Sequence, residues 1–501
     1  MRPSRFKLAS VAAAGALAVG VVIQWPMSSS AQTQAQAQAE AQTASTQAAA
    51  GQICNRYCDG RDAASAAGDR IPVNAAVHGR SVKLHVNDAD SMAWASLETG
   101  NPADEVWLDR SFDGGKTWSA GSRLGATKAT ERSARTTQFN VDDWNTRGVG
   151  LVRACGKAGD RTEIACTPWA RSTWNASTRS TAAATALMTG YDQNTGLFAN
   201  NAWWTSANAL TAVMDNISSS SMGSYRYAIA NTYDKQKNAH AGQFRNEFLD
   251  DTAWWGLAWI KAYDLTKDQR YLDTARADAD HLQQYWDTTC GGGVWWKTDK
   301  KAKNAIENSL YIQLNAQLSQ RIAGDTTYRG RAQAGWKWFN ESGLVNGQNL
   351  VNDGLNMSTC KNNGSTTWTY NQGVLVNALT ELHRTTGDAT TLAKARSIAD
   401  AMTSKTGLSP AGVLQEPPNG NNCDQDGGTF KGAAIRGLGV LNKSTNSAYS
   451  SYLKTNADSA WSTDRNAADF YGWDWAPVTN GHSGTGHTCQ LSALDLLNAA
   501  S

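Results

Sequence analysis

Charge of one sign is missing from this sequence: 46 lysines and arginines stand against 44 aspartates and glutamates, a formal net charge of +2. No basic footprint for nucleic acid exists. Long apolar runs are missing beyond the N-terminus, so no later segment can span a bilayer. Metal-ligand spacing is missing as well. Cys54-x3-Cys58 has no matching Cys or His pair nearby, and His482 and His487 lie five residues apart without a Glu in zincin spacing. Cys423-Asp424-Gln425-Asp426-Gly427 lacks the downstream ligands of a calcium loop. No metal and no cofactor are expected.

Tryptophan is what the chain has in excess, with 21 in 501 residues. Aromatic faces stack on the apolar faces of sugar rings, so a Trp-rich polar protein suggests carbohydrate, although core packing explains many such residues equally well. The length exceeds one ordinary core, so two or more domains are expected. Arg2, Arg5 and Lys7 precede an apolar run from Leu8 to Trp25 and small residues at Ser29, Ser30 and Ala31. Residues 1–31 therefore read as a cleaved signal peptide, and the protein as secreted and extracellular, with no membrane attachment after cleavage. Eight cysteines agree with an oxidising compartment. Cys54 and Cys58, and Cys155 and Cys166, are close enough for local bridges; the pairing of the other four stays open.

Residues 32–51 are Gln/Ala/Thr repetition and read as a flexible linker. Residues 52–170 alternate in short stretches such as Ser81-Val82-Lys83-Leu84-His85-Val86 and Glu105-Val106-Trp107-Leu108, separated by Gly, Asn and Asp turns. This predicts a small all-β module. Within it Ser111-Phe112-Asp113-Gly114-Gly115-Lys116-Thr117-Trp118 resembles a single Asp-box, a structural turn. After a Ser/Thr/Ala-rich joint at 171–182, residues 183–501 are helical. Asp268, Asp325 and Asp388 each begin a similar stripe, with Ala275, Ala332 and Ala395 seven residues on. The spacing is that of helical hairpins. More apolar or glycine-rich helices lie between them, from Asp251 to Tyr263, Ile306 to Ile322 and Gln372 to His383. Five to six such hairpins close two concentric rings, with an open superhelix as the alternative.

Asp250-Asp251 opens the segment Thr252-Ala253-Trp254-Trp255-Gly256-Leu257-Ala258-Trp259-Ile260, apolar on nearly every side. Two like charges beside three tryptophans cannot both ionise cheaply, so one should hold its proton while the other is charged. That division serves glycoside hydrolysis. A helix start, with one Asp capping and the other meeting the dipole, is the plainer reading.

The succession Leu249-Asp250-Asp251-Thr252-Ala253-Trp254-Trp255, Gly292-Gly293-Val294-Trp295-Trp296, Lys303-Asn304-Ala305-Ile306-Glu307-Asn308, Thr369-Tyr370-Asn371-Gln372-Gly373 and Phe430-Lys431-Gly432 resembles glycoside hydrolase family 76 over roughly residues 190–497. The resemblance implies a mainly α fold, an (α/α)6 barrel behind the β module, and retaining endo-hydrolysis of α-1,6-mannan. It implies Asp250 as nucleophile and Asp251 as general acid and base. Sugar contacts are expected from Asn304, Asn308, Tyr370, Gln372 and Lys431, with Trp203, Trp204, Trp295 and Trp296 as stacking walls. The expected partner is the polysaccharide, and the chain is expected to act as a monomer. Retention needs carboxyls about 5–5.5 Å apart, while consecutive helical residues point about 100° apart, so the pair must sit at an irregular helix start or use divergent rotamers. A transglycosylase using the same acids, a non-catalytic glycan-binding protein and an α/α-barrel enzyme on a uronic polysaccharide are the rival readings.

Overall fold

The computed structural model describes residues 59–501 except 67, 89–90, 113–114, 116, 143–149, 173–177, 189, 200–202, 221–224, 418–422, 424–425, 467–468 and 478–483. The predicted signal peptide and linker, Cys54, Cys58 and His482 lie outside the described residues.

Residues 70–166 form two antiparallel sheets. One orders β1 (Arg70–Val77), β2 (Arg80–Asn87), β3 (Met92–Glu98) and β6 (Ala134–Arg135), with β7 (Phe139–Asn140) also on β3; the other orders β5 (Leu124–Lys128), β4 (Glu105–Ser111), β8 (Leu151–Lys157) and β9 (Ile164–Cys166). Strand side chains alternate between faces, and the inward set of β2 and β3, Val82, Leu84, Val86, Ala93, Ala95 and Leu97, meets that of β4 and β8 in one core. Cys155 and Cys166 face each other across β8 and β9 and are bridged, as their spacing suggested. Of the Asp-box-like stretch, Asp113, Gly114 and Lys116 lie outside the described residues; Trp118 packs edge-on to Trp169, with the Arg153 guanidinium over both rings.

Twelve α-helices follow among the described residues. The even-numbered ones form an inner ring: α2 (Trp203–Ser220), α4 (Leu249–Thr266), α6 (Ala305–Ser319), α8 (Thr369–Thr386), α10 (Gly427–Ser444) and α12 (His487–Ala499). Each packs against the next, and α12 returns to α2, so the circle closes. The odd-numbered helices lie outside: α1 (Arg179–Met188), α3 (Tyr227–Gln236), α5 (Gln269–Gln283), α7 (Thr327–Glu341), α9 (Ala389–Thr403) and α11 (Ser450–Thr463). Burial follows the sequence pattern. Asp268 and Asp388 cap α5 and α9 by accepting the amides of Arg270 and Thr390, and Asp325 accepts three amides at the start of α7. Ala275, Ala332 and Ala395 are fully buried beneath the inner ring.

Inner helices approach closely because their contact faces carry glycine. A Cβ on Gly373 of α8 would lie 2.2 Å from Ala434 Cα of α10, and one on Gly437 would lie 1.9 Å from the Gly373 carbonyl oxygen. Only hydrogen fits there. One boundary differs from expectation: α1 begins at Arg179, inside the stretch read as a joint. Its Ser, Thr and Ala residues are small because the helix is buried against α12, and composition alone does not separate such a helix from a linker.

Candidate active site

The inner helices start at one end of the ring, and their first turns carry the acids. α4 begins at Leu249 behind Phe248, whose extended backbone (φ −97°, ψ 124°) sets the chain turning into the helix. Asp250 and Asp251 therefore lie in a regular first turn, and their side chains diverge to different partners. The Trp296 indole N–H donates to Asp250 Oδ2 at 3.1 Å. The Asn246 amide donates to Asp251 Oδ2 at 2.6 Å, while its Oδ1 accepts the Phe248 amide at 2.9 Å.

Trp296 is held by a short backbone pairing. The Leu249 amide donates to the Trp296 carbonyl at 2.9 Å and the Thr298 amide to the Glu247 carbonyl at 2.9 Å. Upstream, Gly292 and Gly293 run at positive φ against Trp338, where a side chain would collide with the indole. Asn308 of α6 clamps Val294 from the other side, accepting its amide at 2.7 Å and donating to its carbonyl at 3.1 Å. Lys303 is fully buried and donates to Asp287, to the Thr289 carbonyl and to the Gly292 carbonyl, knitting the same loop together.

The acids sit in a polar, poorly solvated mouth. Burial, chiefly, raises Asp250 to about 7, opposed by the Trp296 bond and by first-turn amides; the nearby Asp426 adds to the rise. Burial followed by the charge of Asp250 raises Asp251 well above the ordinary carboxylate range, against the bond from Asn246. The two carboxyls titrate as a coupled pair, each held above its ordinary range first by burial and then by negative neighbours. A further acid stands behind the pair. Glu307 of α6 is fully buried and raised by burial; its Oε1 accepts the Asn304 amide and the Asn308 side chain. Asp353 accepts from Asn371 at 3.0 Å and is raised by burial too.

Three oxygens here are shielded from solvent and meet no protein donor: Asp250 Oδ1, Glu307 Oε2 and Asn371 Oδ1, from α4, α6 and α8 in turn. Buried polar atoms rarely stay unpaired. Aromatic rings wall the same mouth. Trp204 stacks with Trp254 (centroids 6.1 Å, 25°) and donates to Asp426 at 3.0 Å, and Tyr370 lies flat on Phe430 (4.0 Å, 11°).

Asp250, Asp251, Trp204, Trp296 and Tyr370 thus lie around this mouth. The other residues expected to touch sugar are engaged in the scaffold. Trp203 is buried against His240 and Trp255. Trp295 is buried, its N–H on Asp287 and Lys303 over its ring. Asn304 caps α6 in a capping box with Glu307. All of the Asn308 and Gln372 hydrogen bonds go to protein groups, those of Gln372 to both backbone groups of Val351 and to the Trp368 carbonyl. Lys431 is buried over Trp475, donates to the Trp473 carbonyl at 2.5 Å and is lowered to about 8 by burial. His487 is stacked on Phe198 and held neutral by burial. Asn246, Asp426, Glu307 and Asp353 were not among the residues expected. Glu307 falls within the Lys303 to Asn308 motif, where an acid inside an otherwise apolar helix was the available signal; Asp353 carries no local signal.

A closed inner ring of helices within an outer one is an α/α barrel, here with a buried acid pair at its aromatic mouth. The chain belongs to Glycosyl hydrolase family 76, whose model matches residues 173–501. It is 28% identical to the mannan endo-1,6-alpha-mannosidase DCW1 of Candida albicans, over 53% of this chain and 64% of that one, and 29% identical to DCW1 of Saccharomyces cerevisiae, over 51% and 61%. The chain thus spans less than two thirds of these relatives' length. Among solved structures, the GH76A alpha-1,6-mannanase of Salegentibacter sp. HEL1_6 superposes with a TM-score of 0.58 at 25% identity, covering 64% of this chain and 98% of that one. An inactive variant of that mannanase, with alanine at two consecutive aspartates, is in complex with alpha-1,6-mannotetrose; it matches at 24% identity and TM-score 0.56, over 64% and 97%.

Proposed function

We propose that this protein is a secreted, retaining, endo-acting hydrolase of α-1,6-linked mannan. The observation that carries the reading is the acid pair in the first turn of α4, with each carboxyl turned to its own donor and both raised by burial. Ionised Asp250 attacks the anomeric carbon while Asp251 protonates the departing glycosidic oxygen. A glycosyl ester on Asp250 results. Asp251, now charged, takes a proton from water as its oxygen attacks the same carbon, releasing the sugar with retained configuration and restoring both acids. The unpaired oxygens of Glu307 and Asn371 supply groups for sugar hydroxyls, and Trp204, Trp296 and Tyr370 supply faces for rings. The activities named for the yeast relatives and the paired-aspartate variant of the Salegentibacter enzyme support the substrate and the roles. Secretion rests on the leader-like residues 1–31 and the cysteine content.

The test is product analysis on unbranched α-1,6-mannan with wild type, Asp250→Asn and Asp251→Asn. Short oligosaccharides from wild type, and a loss of about a thousandfold or more in either variant, on the order of 4 kcal/mol of barrier, are expected. Binding of the polymer without cleavage by wild type would overturn the reading.

A further inference from the structure

The opposite end of the ring holds a second pocket that the proposed chemistry does not use. A cavity of 290 Å³ runs between α2, α4, α6, α8 and α10, and a second of 180 Å³ adjoins it, sharing Asp215, Lys261, Arg436, Val440 and Lys443. Together they have the size of a small-ligand site.

Its lining says what kind of ligand fits. Asn377, 5% exposed, has a solvent-shielded Oδ1 with no partner, and Gln313, 7% exposed, lines the same space. A shielded amide oxygen without a partner calls for a polar occupant. The lining arginines and Lys261 are each neutralised by a carboxylate, as in Arg436–Asp495 at 2.6 Å, which leaves the exposed Lys443 as the uncommitted charge on the lining. Trp254 lines the cavity as well. Neutral amides and an indole in one cavity match a ligand with vicinal hydroxyls and an apolar ring face.

We infer that this cavity is a second saccharide site, taking a neutral sugar of one pyranose ring, separate from the cleft that holds the acid pair. Trp254 joins the two. It lies one helical turn beyond Asp250, lines the cavity, and stacks with Trp204 at the mouth. A sugar in the cavity buttresses the indole that shapes the catalytic mouth.

The experiment soaks crystals of the full chain carrying Asp250→Asn in mannose, and separately in inorganic phosphate. Mannose density between Gln313, Asn377 and Trp254, absent in Asn377→Leu, is the expected result. Ordered water alone there, or phosphate beside Lys443 with no sugar, overturns the inference. In solution, the rise in Tm produced by mannose should be smaller in Asn377→Leu than in the parent; an equal rise means binding at crystal concentration only and also overturns it. If Asn377→Leu does not fold, Gln313→Leu takes its place. None of these readouts requires mannan cleavage, so failure here and failure of the hydrolase reading are distinguishable.

Discussion

Replacing Asp250 by asparagine should stabilise the protein at pH 8 and do much less at pH 5. Asp250 is raised from 3.8 to about 7, first by burial. The folded state therefore holds more protons than the unfolded chain between about pH 4 and 7, and stability falls as pH rises through that window. Holding the ionised carboxyl in the fold at pH 8 costs about 4 kcal/mol at 1.36 kcal/mol per pH unit. The solvent-facing part of the half-buried side chain and the bond from Trp296 reduce this, so roughly 2–3 kcal/mol is expected. At pH 5 the folded carboxyl is mostly neutral, and about 1 kcal/mol remains. Asparagine has the same shape, can still accept from Trp296 and carries no charge. Urea melts of wild type and Asp250→Asn at both pH values measure the difference. A variant equally or less stable at pH 8 would refute the claim that the acid is held ionised against the cost of burial.

The rate should follow the same groups. With Asp250 required ionised and Asp251 protonated, kcat/KM on mannan should decline below about pH 7 and again at higher pH as Asp251 loses its proton, and Asp426→Asn should move both limbs to lower pH because it removes a neighbouring negative charge. Gly373→Ala should lose about 3 kcal/mol or fail to fold, read by thermal melting, since its Cβ would meet the Ala434 backbone at 2.2 Å. Breaking Cys290–Cys360, which spans 70 residues, by Cys290→Ser with Cys360→Ser should cost about 4 kcal/mol in a denaturant melt, with activity surviving below the transition.

Periodic features were legible from the sequence and convergent ones were not. Asp268, Asp325 and Asp388 announced outer helices because a cap acts within its own turn, and the intervening apolar stretches are the inner ring. The acid pair stood out in the sequence, since adjacent like charges in an apolar run need a reason, and it lies in the first turn of α4. The tryptophans were not. Trp203 and Trp204 are neighbours in sequence, yet a helical step of about 100° sends one into the core and the other to the mouth. Asn308 and Gln372 look like sugar ligands by residue type, but both spend their amides on backbone groups 14 and 21 residues away. Such pairings over distance leave no local trace.

Closure of the ring by α12 also governs how the chain reaches this state. Gln490 donates to the Ala183 carbonyl, 307 positions earlier, and Asn498 to the Ala212 carbonyl, 286 positions earlier. Contacts of that separation form late, since a long loop must close before they contribute. Until α12 is in place, α2 and α10 present uncovered apolar faces to solvent and to other chains. Docking of the C-terminal helix is therefore expected to come late in folding, and a polypeptide shortened before residue 487 should aggregate instead of folding to five sixths of a barrel.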